Sequence, residues 1–368
     1  MRQSPDSQTN MHLPGLRIIK AILYEARHRD SLSMAEGGEL KSRRMIFRDL
    51  LSWHMRHGDH CGKYYLYGLD ELGADPTSYV STAEVLAFRK KHSGVPFYQT
   101  RLNYSNLLND KLLFYVFMRA AGIPTPTVFG HLDNGMVFDS GFREVGDLLE
   151  LIKDDEVVIK ERFGGQAGRS RGGPDASFFV IREGIVNEAS NGKLDSLGAV
   201  RKATGSGHWI VQRLIKQHSQ LALLNPTSVN TLRAHSFRSG REISVPTILV
   251  KAGKPGSFVD NVQWGGYYSE LDVASGRLTG RFRHTSSLFD KSARDDIAQK
   301  LAGLRIPYLA EASALAMRAH ELLEFVPGIG WDLAITDSGP IIIEGNDRWN
   351  LSTLQLFGGA RDTLHQLY

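Results

Sequence analysis

The sequence predicts an α+β protein in which a helix-rich N-terminal region precedes two strand-bearing subdomains. Three observations predict it. Over residues 16–57 apolar positions recur at helical spacing, and beyond residue 103 short β-rich runs alternate with turn signals and single helical stripes. Residues 330–346, finally, read as a tight antiparallel hairpin.

The totals set bounds. With 368 residues the chain is long enough for two or three domains, and 42% hydrophobic with 23% charged residues is the balance of an ordinary globular protein. Lys and Arg number 44 against 40 Asp and Glu, a formal charge of +4, which suits anionic ligands without calling for nucleic acid. Cys61 is the only cysteine, so an intrachain disulfide and a cysteine-rich metal site are excluded. The first fifteen residues are polar and lack a signal-peptide core, and no run approaches the ~20 apolar residues of a membrane span. A cytoplasmic protein is expected.

Residues 1–15, rich in Ser, Gln and Asn, are expected to be a disordered leader. A helix-rich region is expected over 16–102. Leu16, Ile19, Ile22 and Leu23 form one stripe and Met45, Ile46, Leu50 and Trp53 another, with Arg43, Arg44 and Arg48 between them. That basic surface reads either as a solvated helix face or as a docking surface for a membrane or a polysaccharide-assembly partner. Tyr64-Tyr65-Leu66-Tyr67-Gly68-Leu69 reads as aromatic packing. Asp75-Pro76-Thr77-Ser78 is a turn into a short helix ending near Lys91.

The first strand-bearing subdomain is expected over 103–210. Asn109 predicts an N-cap for a helix starting at Asp110, whose stripe of Leu112, Leu113, Val116, Phe117 and Ala120 stops at Gly122. Lys111 lies in the first turn, where the helix dipole disfavours a cation, so it points to an external anion or to a solvated side chain. A strand over 157–160 then delivers Lys160 into a Gly-rich, Arg-rich loop over 161–173 containing Gly164, Gly165 and Gly168. Glycine carries no Cβ, so backbone N–H groups in such a loop can approach phosphate oxygens. No Gly-Lys-Ser/Thr follows, so it is not a Walker P-loop. A strand over 178–186 with a hairpin at Glu183-Gly184 comes next, and then a loop-rich basic segment over 191–207.

The second subdomain is expected over 211–368. Gln212 interrupts the buried strand 209–215 and needs a partner, which a purine edge can supply as well as protein can. The strand opening at Thr231 places Arg233 and His235 on one face, Leu232 and Ala234 on the other, and 243–251 runs antiparallel to it. A polar turn over 258–266 carries Asp260 and Asn261 ahead of a strand over 267–273. An amphipathic helix over 308–325, bearing Leu309, Ala312, Leu315, Ala316, Ala319 and Leu323, leads into the final hairpin.

In that hairpin, strands 331–336 and 340–344 are joined by Asp337-Ser338-Gly339. Pairing Thr336 with Pro340 sets Ala334 opposite Ile342 and Asp332 opposite Glu344, with Leu333, Ile335, Ile341 and Ile343 on the other face. Opposed carboxylates with Cβ atoms about 4.5–5.5 Å apart are unfavourable unless positive charge lies between them. Asn346 adds a neutral oxygen, and the set Asp332, Glu344 and Asn346 suits Mg²⁺ or Mn²⁺ better than zinc. A hairpin with solvated carboxylates, its register shifted by a bulge, is the alternative.

Several stretches taken together resemble the ATP-grasp superfamily, and its sugar-transfer-associated family most of all. They are Leu-Asn-Asp-Lys ending at Lys111, Ala-Gly-Ile-Pro-Thr-Pro ending at Pro126, Val-Val-Ile-Lys ending at Lys160, Val-Gln-Arg-Leu-Ile starting at Val211, Ser-Val-Asn-Thr-Leu-Arg ending at Arg233, and the hairpin with Glu344-Gly345-Asn346. No single stretch is decisive, whereas their order and spacing are specific, and they cover about residues 103–360. Gln212 stands where such enzymes usually carry an acidic residue. The region before residue 100 lacks the β-α-β alternation of their usual first domain.

The resemblance implies ATP held between two α+β subdomains. It implies Lys111 and Lys160 on phosphates or the adenine edge, Gly164, Gly165 and Gly168 in a loop over the triphosphate, and Gln212 with the backbone near Leu214 at the adenine. Gln220 or His218 would lie near the ribose, Arg233 would hold the transferred phosphoryl group, and Asp332, Glu344 and Asn346 would bind Mg²⁺. Asp260, Asn261, Arg348 and Gln355 are the candidates for the acceptor side, loop hydrogen bonding being the alternative for each. The implied activity is a carboxylate–amine ligase working through an acyl phosphate on a small-molecule carboxylate and amine, a sugar acid or an amino acid in polysaccharide-related biosynthesis. A kinase with His235 or Asp260 as base and a nucleotide-binding scaffold are the competing readings.

Overall fold

The computed structural model describes residues 15–35, 39–92, 104–153, 155–163, 178–182, 185–188, 192–194, 197–262, 265–284, 292, 294–347 and 349–367. The chain divides into two compact units, Met1–Phe88 with Gln355–Gln366, and Arg89–Leu354 with Leu367–Tyr368.

The first unit is built on α1 (Gly15–Arg27), α2 (Arg29–Leu32), α3 (Arg43–His57) and the start of α4 (Thr82–His92). Ser42 caps α3 by accepting from the Met45 N–H, and Gly58, at φ +71°, ends it in the left-handed conformation that glycine tolerates. Ile18, Ile22 and Ala26 of α1 pack on Ile46, Leu50 and Trp53 of α3. The α1 stripe is rotated from the one expected, since Ile19 and Leu23 are exposed and positions spaced by four residues carry the contact. Tyr64, Tyr65, Tyr67 and Leu69 are buried, as aromatic packing requires. Lys41 is buried against Asp49 at 2.7 Å and the Ala74 carbonyl at 2.6 Å, and the Tyr64 hydroxyl donates to the same carboxylate at 2.9 Å.

The second unit carries two antiparallel sheets. Ahead of them come α5 (Ser105–Asn109) and α6 (Lys111–Ala120). The first sheet comprises β1 (Val128–Asp133), β2 (Met136–Asp139), β3 (Glu144–Val145), β4 (Val157–Glu161), β5 (Phe178–Arg182), β6 (Ile185–Glu188), β7 (Gly192–Leu194) and β8 (His208–Arg213). Its order is β3-β2-β1-β8-β4-β5-β6-β7. Two helices, α7 (Leu148–Ile152) and α8 (Leu197–Thr204), belong to this half. The segment expected to be loop-rich over 191–207 therefore holds β7 and α8; Leu197-Gly-Ala-Val-Arg-Lys-Ala-Thr contains enough helix formers to close two turns around buried Val200.

The second sheet comprises β9 (Thr231–Ser239), β10 (Glu242–Ala252), β11 (Tyr267–Asp272), β12 (Arg277–Arg283), β13 (Gly328–Thr336) and β14 (Gly339–Asn346), ordered β12-β11-β10-β9-β13-β14. The largest core lies on one of its faces, where Leu232, Ala234, Ile248, Val250, Leu333 and Ile335 meet Ala312, Leu315, Ala316 and Ala319 of the helix Leu309–Glu321. The expected stripe of that helix is thus the buried one. No helix among the described residues is long and apolar enough to cross a membrane.

Candidate functional site

In the first sheet, the site begins where β4 leaves it. Lys160 is the register partner of Ile210, and Val158 that of Gln212. Register partners share a face, so Lys160 and Gln212 point to the same side, the side on which Leu112 and Tyr115 of α6 pack against Val128 and Ile210. The start of α6 is pinned there by Asp110, which replaces the expected Asn109 as N-cap. Its Oδ1 accepts from the Leu112 and Leu113 N–H groups at 3.0 and 3.3 Å, and its carboxylate takes a two-point contact from Arg162 at 2.8 and 2.7 Å. Two residues past Lys160, Arg162 therefore ties the exit of β4 to the helix start carrying Lys111. Burial and the nearby Lys111 push the Lys160 ammonium down to about 8, against the opposing pull of Glu344 and Asp332. The Lys160 ammonium forms no ion pair among the described residues.

The polar face of the second sheet supplies the other half. Arg233 on β9 is the register partner of Asp332 on β13, which is the register partner of Glu344 on β14. Arg233 donates from Nε and Nη2 to the two Asp332 oxygens at 2.6 and 2.9 Å. Lys251 on β10 donates to Asp332 Oδ2 at 3.1 Å and stands 3.6 Å from Asp260. The Thr231 hydroxyl donates to Asp260 in turn. Burial alone would raise the Asp332 carboxyl, but Arg233 and Lys251 outweigh it and hold the group at about 2. Burial raises Asp260 despite Lys251, while Asp260 and Asp332 raise Lys251 against burial.

The hairpin reaches the expected Asp332–Glu344 pairing by a different route. Thr336 pairs with Gly339, Ala334 with Ile341 and Leu333 with Ile342, and a bulge next to Asp332 restores the pair. The loop is thus one residue shorter than expected, and the bulge takes up the difference. One consequence is that Ile342, rather than Ile341 and Ile343, joins Leu333 and Ile335 in the core. Gly345 is required between the two polar positions, because a Cβ there would lie 2.7 Å from the Trp331 ring.

The positive charge that the opposed carboxylates demanded comes from Arg233 and Lys251. Asp332 already accepts three N–H donors, which makes it a poor direct ligand for a metal in this arrangement. Asn346, two residues from Glu344 on β14, donates from Nδ2 to Glu344 Oε1 at 3.4 Å, so a hard cation would need that amide turned to set its oxygen beside the carboxylate. Among the described residues no group of three or more His, Cys, Asp or Glu is arranged to hold a metal.

The remaining candidates are placed as follows. Gln212 is buried on β8, and the Leu214 N–H is committed to the Glu156 carbonyl at 2.8 Å. His218 caps the short helix Ser219–Ala222 by accepting from the Gln220 N–H, and the Gln220 side chain is exposed. Asn261 is partly buried beside Asp260. Gln355 belongs to the first unit, where it accepts from the Val80 N–H at 3.1 Å and donates to the Val80 carbonyl at 3.0 Å, so both ends of its amide serve loop hydrogen bonding. Burial and Arg233 push His235 down to about 3, and its Nε2 meets the Thr353 hydroxyl at 3.1 Å. A ring so held is a poor general base. Gly164, Gly165, Gly168 and Arg348 lie outside the described residues.

The sugar-transfer-associated ATP-grasp family model matches residues 90–366. The chain belongs to that family. Its mixed helices and two antiparallel sheets, with a helical region ahead of them, are the α+β ATP-grasp fold class the sequence predicts. Solved structures similar to this ATP-grasp chain include N5-carboxyaminoimidazole ribonucleotide synthetase from Thermotoga maritima, at 15% identity over 67% of this chain and 43% of that one, TM-score 0.36. D-alanine-D-alanine ligase from Coxiella burnetii gives 11% identity over 65% and 48%, TM-score 0.31. L-amino acid ligase from Bacillus licheniformis gives 11% over 68% and 43%, TM-score 0.34. The chain spans less than half the length of each of these three. No curated protein matches it.

Two contributors to the site escape the sequence reading, namely Lys251 and the Asp110–Arg162 pair. Lys251 had a usable signal, the same one that marks Gln212: a lone polar residue closing the apolar run Ile248-Leu249-Val250.

Proposed function

We propose that this ATP-grasp protein is a Mg²⁺-ATP-dependent carboxylate–amine ligase acting through an acyl phosphate, on a sugar acid or amino acid in polysaccharide-related biosynthesis. The observation that carries this reading is the convergence of Lys160 from one sheet with Arg233 and Lys251 from the other around Asp332 and Glu344. Such a set neutralises and positions a transferring phosphoryl group, which needs little covalent help from protein.

In this reading Lys111 and Lys160 bind the phosphates, and Gln212 and the backbone near Leu214 meet the adenine. Gln220 and His218 stand on the ribose side, and the glycines at 164, 165 and 168 cover the triphosphate. Arg233, held in plane by Asp332, orients the γ-phosphoryl group. Glu344 and Asn346 would hold Mg²⁺, which would supply further countercharge to the phosphate oxygens. A carboxylate oxygen of the substrate bonds to the γ-phosphorus as the bond to the ADP oxygen breaks. An amine then bonds to the acyl carbon, inorganic phosphate leaves, and the amine proton departs with it. Asp260, Asn261 and Arg348 serve the acceptor side. The buried, weakly basic His235 is a poor base for the competing hydroxyl-kinase reading, which then leaves Asp260 as its base. The basic arginines of α3 are proposed as a peripheral contact to a membrane or assembly partner.

Incubation with Mg-ATP, a panel of amino acids and uronic acids, and hydroxylamine tests the proposal. Hydroxamate with stoichiometric ADP is expected. ADP with a phosphate ester and no hydroxamate would assign a kinase instead.

A further inference from the structure

The segment joining β10 to β11 leaves the sheet at Ala252 and returns at Tyr267, which are register partners, and it carries Asp260 between them. Two glycines let it close on itself. A Cβ on Gly253 would lie 2.5 Å from the Val259 carbonyl oxygen, and one on Gly266 would lie 2.6 Å from the Ala252 carbonyl oxygen and 3.1 Å from those of Asp260 and Asn261. The backbone around Asp260 is thus packed against both ends of its own loop, which is the build of an Ω-loop.

The loop is fastened by a side chain that lies outside it. Asn225, 1% exposed, donates from Nδ2 to the Ser228 hydroxyl at 2.9 Å and to the Lys254 and Ser257 carbonyls at 2.9 and 3.2 Å, while its Oδ1 accepts the Thr227 N–H at 3.1 Å. Carbonyls on one side and an N–H on the other admit one orientation of that amide. The Thr227 hydroxyl, 2.8 Å from Asn225 Oδ1, also lies 2.7 Å from the Ser257 carbonyl oxygen, and the Ser257 hydroxyl donates to the Val259 carbonyl at 2.8 Å, one residue before Asp260. Asn225 is held in turn by Gln217, whose Nε2 donates to the Asn225 and Ser228 carbonyls at 3.0 and 2.6 Å and whose Oε1 accepts from the Asn230 backbone and side-chain amides, each at 3.0 Å. A buried network satisfied to this degree is rigid.

At the far end of the clamp, the Asp260 carboxylate accepts from the Thr231 hydroxyl and stands 3.6 Å from Lys251 Nζ. A carboxylate borne on a loop keeps such a geometry only while the loop backbone is held. We infer that Asn225 is a positioning residue of the reaction, which clamps the β10–β11 loop and so holds Asp260 against Lys251 and Thr231 for the carboxylate substrate. This rests on the reading of Asp260 as an acceptor-side residue.

Two variants test it on the full chain. Asn225→Asp sets a carboxylate oxygen against the Lys254 and Ser257 carbonyls, and Thr227→Val removes the hydroxyl bridge at a partly buried position while keeping the side-chain shape. In the hydroxamate assay each is expected to lower kcat/KM for the carboxylate about tenfold and to leave KM for ATP unchanged. Asp260→Asn is expected to lower kcat/KM at least as far, and adding either variant to it should cost nothing more, a non-additivity that a general loss of packing would not give. The inference is overturned if the losses multiply, or if both variants react as the wild type does. An unimpaired Asp260→Asn sinks the inference and leaves the ligase reading standing. If the wild type yields no hydroxamate, the ligase reading fails and amide hydrogen exchange decides: faster exchange at Ser257 and Val259 in Thr227→Val, with β9 unchanged, keeps the clamp on Asp260, and unchanged exchange removes it.

Discussion

Two buried ion-pair systems in this chain use the same chemistry to different ends. In the first unit Lys41 pairs directly with Asp49, with the Tyr64 hydroxyl and the Ala74 carbonyl taking up remaining hydrogen-bonding capacity of the pair. In the second unit Arg233, Lys251 and Lys160 crowd around Asp332, Asp260 and Glu344, and Lys160 is left without an ion-pair partner among the described residues. A closed pair holds elements together and needs nothing more. An open set of cations keeps a capacity for anionic charge, and its maintenance at the cost of burial is the ground on which we propose it as a ligand site.

The largest effect that would break this contrast is on turnover. Arg233→Ala is expected to lower hydroxamate formation by about 10²–10³, the scale for losing one charge-stabilising donor at a reacting group; full activity in a folded variant would remove Arg233 from the phosphoryl site. Stability comes next. Asp332→Ala and Lys41→Ala each strand a buried charge, and each should lose about 3–5 kcal/mol in urea unfolding. Only Asp332→Ala should also change nucleotide affinity, because only it releases Arg233 and Lys251. Lys160→Met has the opposite profile, with nucleotide affinity reduced roughly tenfold and stability unchanged or raised, since a cation with no ion-pair partner among the described residues is removed.

The smallest effect is one of pH. The folded pKa of Lys160 lies at about 8, below its usual 10.5. Between these values the unfolded chain binds the proton and the folded chain does not, so stability rises with pH across that window. Over the same window the free protein loses the charge proposed to meet phosphate, so nucleotide affinity should fall above about pH 8. Lys160→Met should flatten both slopes relative to the wild type.

Much of this was legible in the sequence, for reasons particular to each element. The strand periodicity around Thr231 put Arg233 and Leu232 on opposite faces, and the structure keeps them there. The helix stripe at Ala312, Leu315, Ala316 and Ala319 was visible because four small or apolar residues at helical spacing have one way to be buried. The Asp332–Glu344 opposition was visible too, while its route was hidden: a shorter loop and a compensating bulge leave the same pair facing, and a pattern of period two cannot distinguish them. The partner of Asp332 was missed because cross-strand neighbours from β9 and β10 are set by sheet order, which local spacing does not encode. Gln355 was misleading for a related reason. Its closeness in sequence to the hairpin suggested the cleft, while its amide closes onto Val80, 275 residues away in the chain.

The most direct measurement is the affinity of a non-hydrolysable ATP analogue with Mg²⁺, titrated calorimetrically against the wild type, Lys160→Met and Lys41→Met. Weakened binding in Lys160→Met alone is the predicted result, because only the open cluster meets phosphate. Equal affinity in wild type and Lys160→Met, or an equal loss in Lys41→Met, would contradict the distinction between a closed structural pair and an open site.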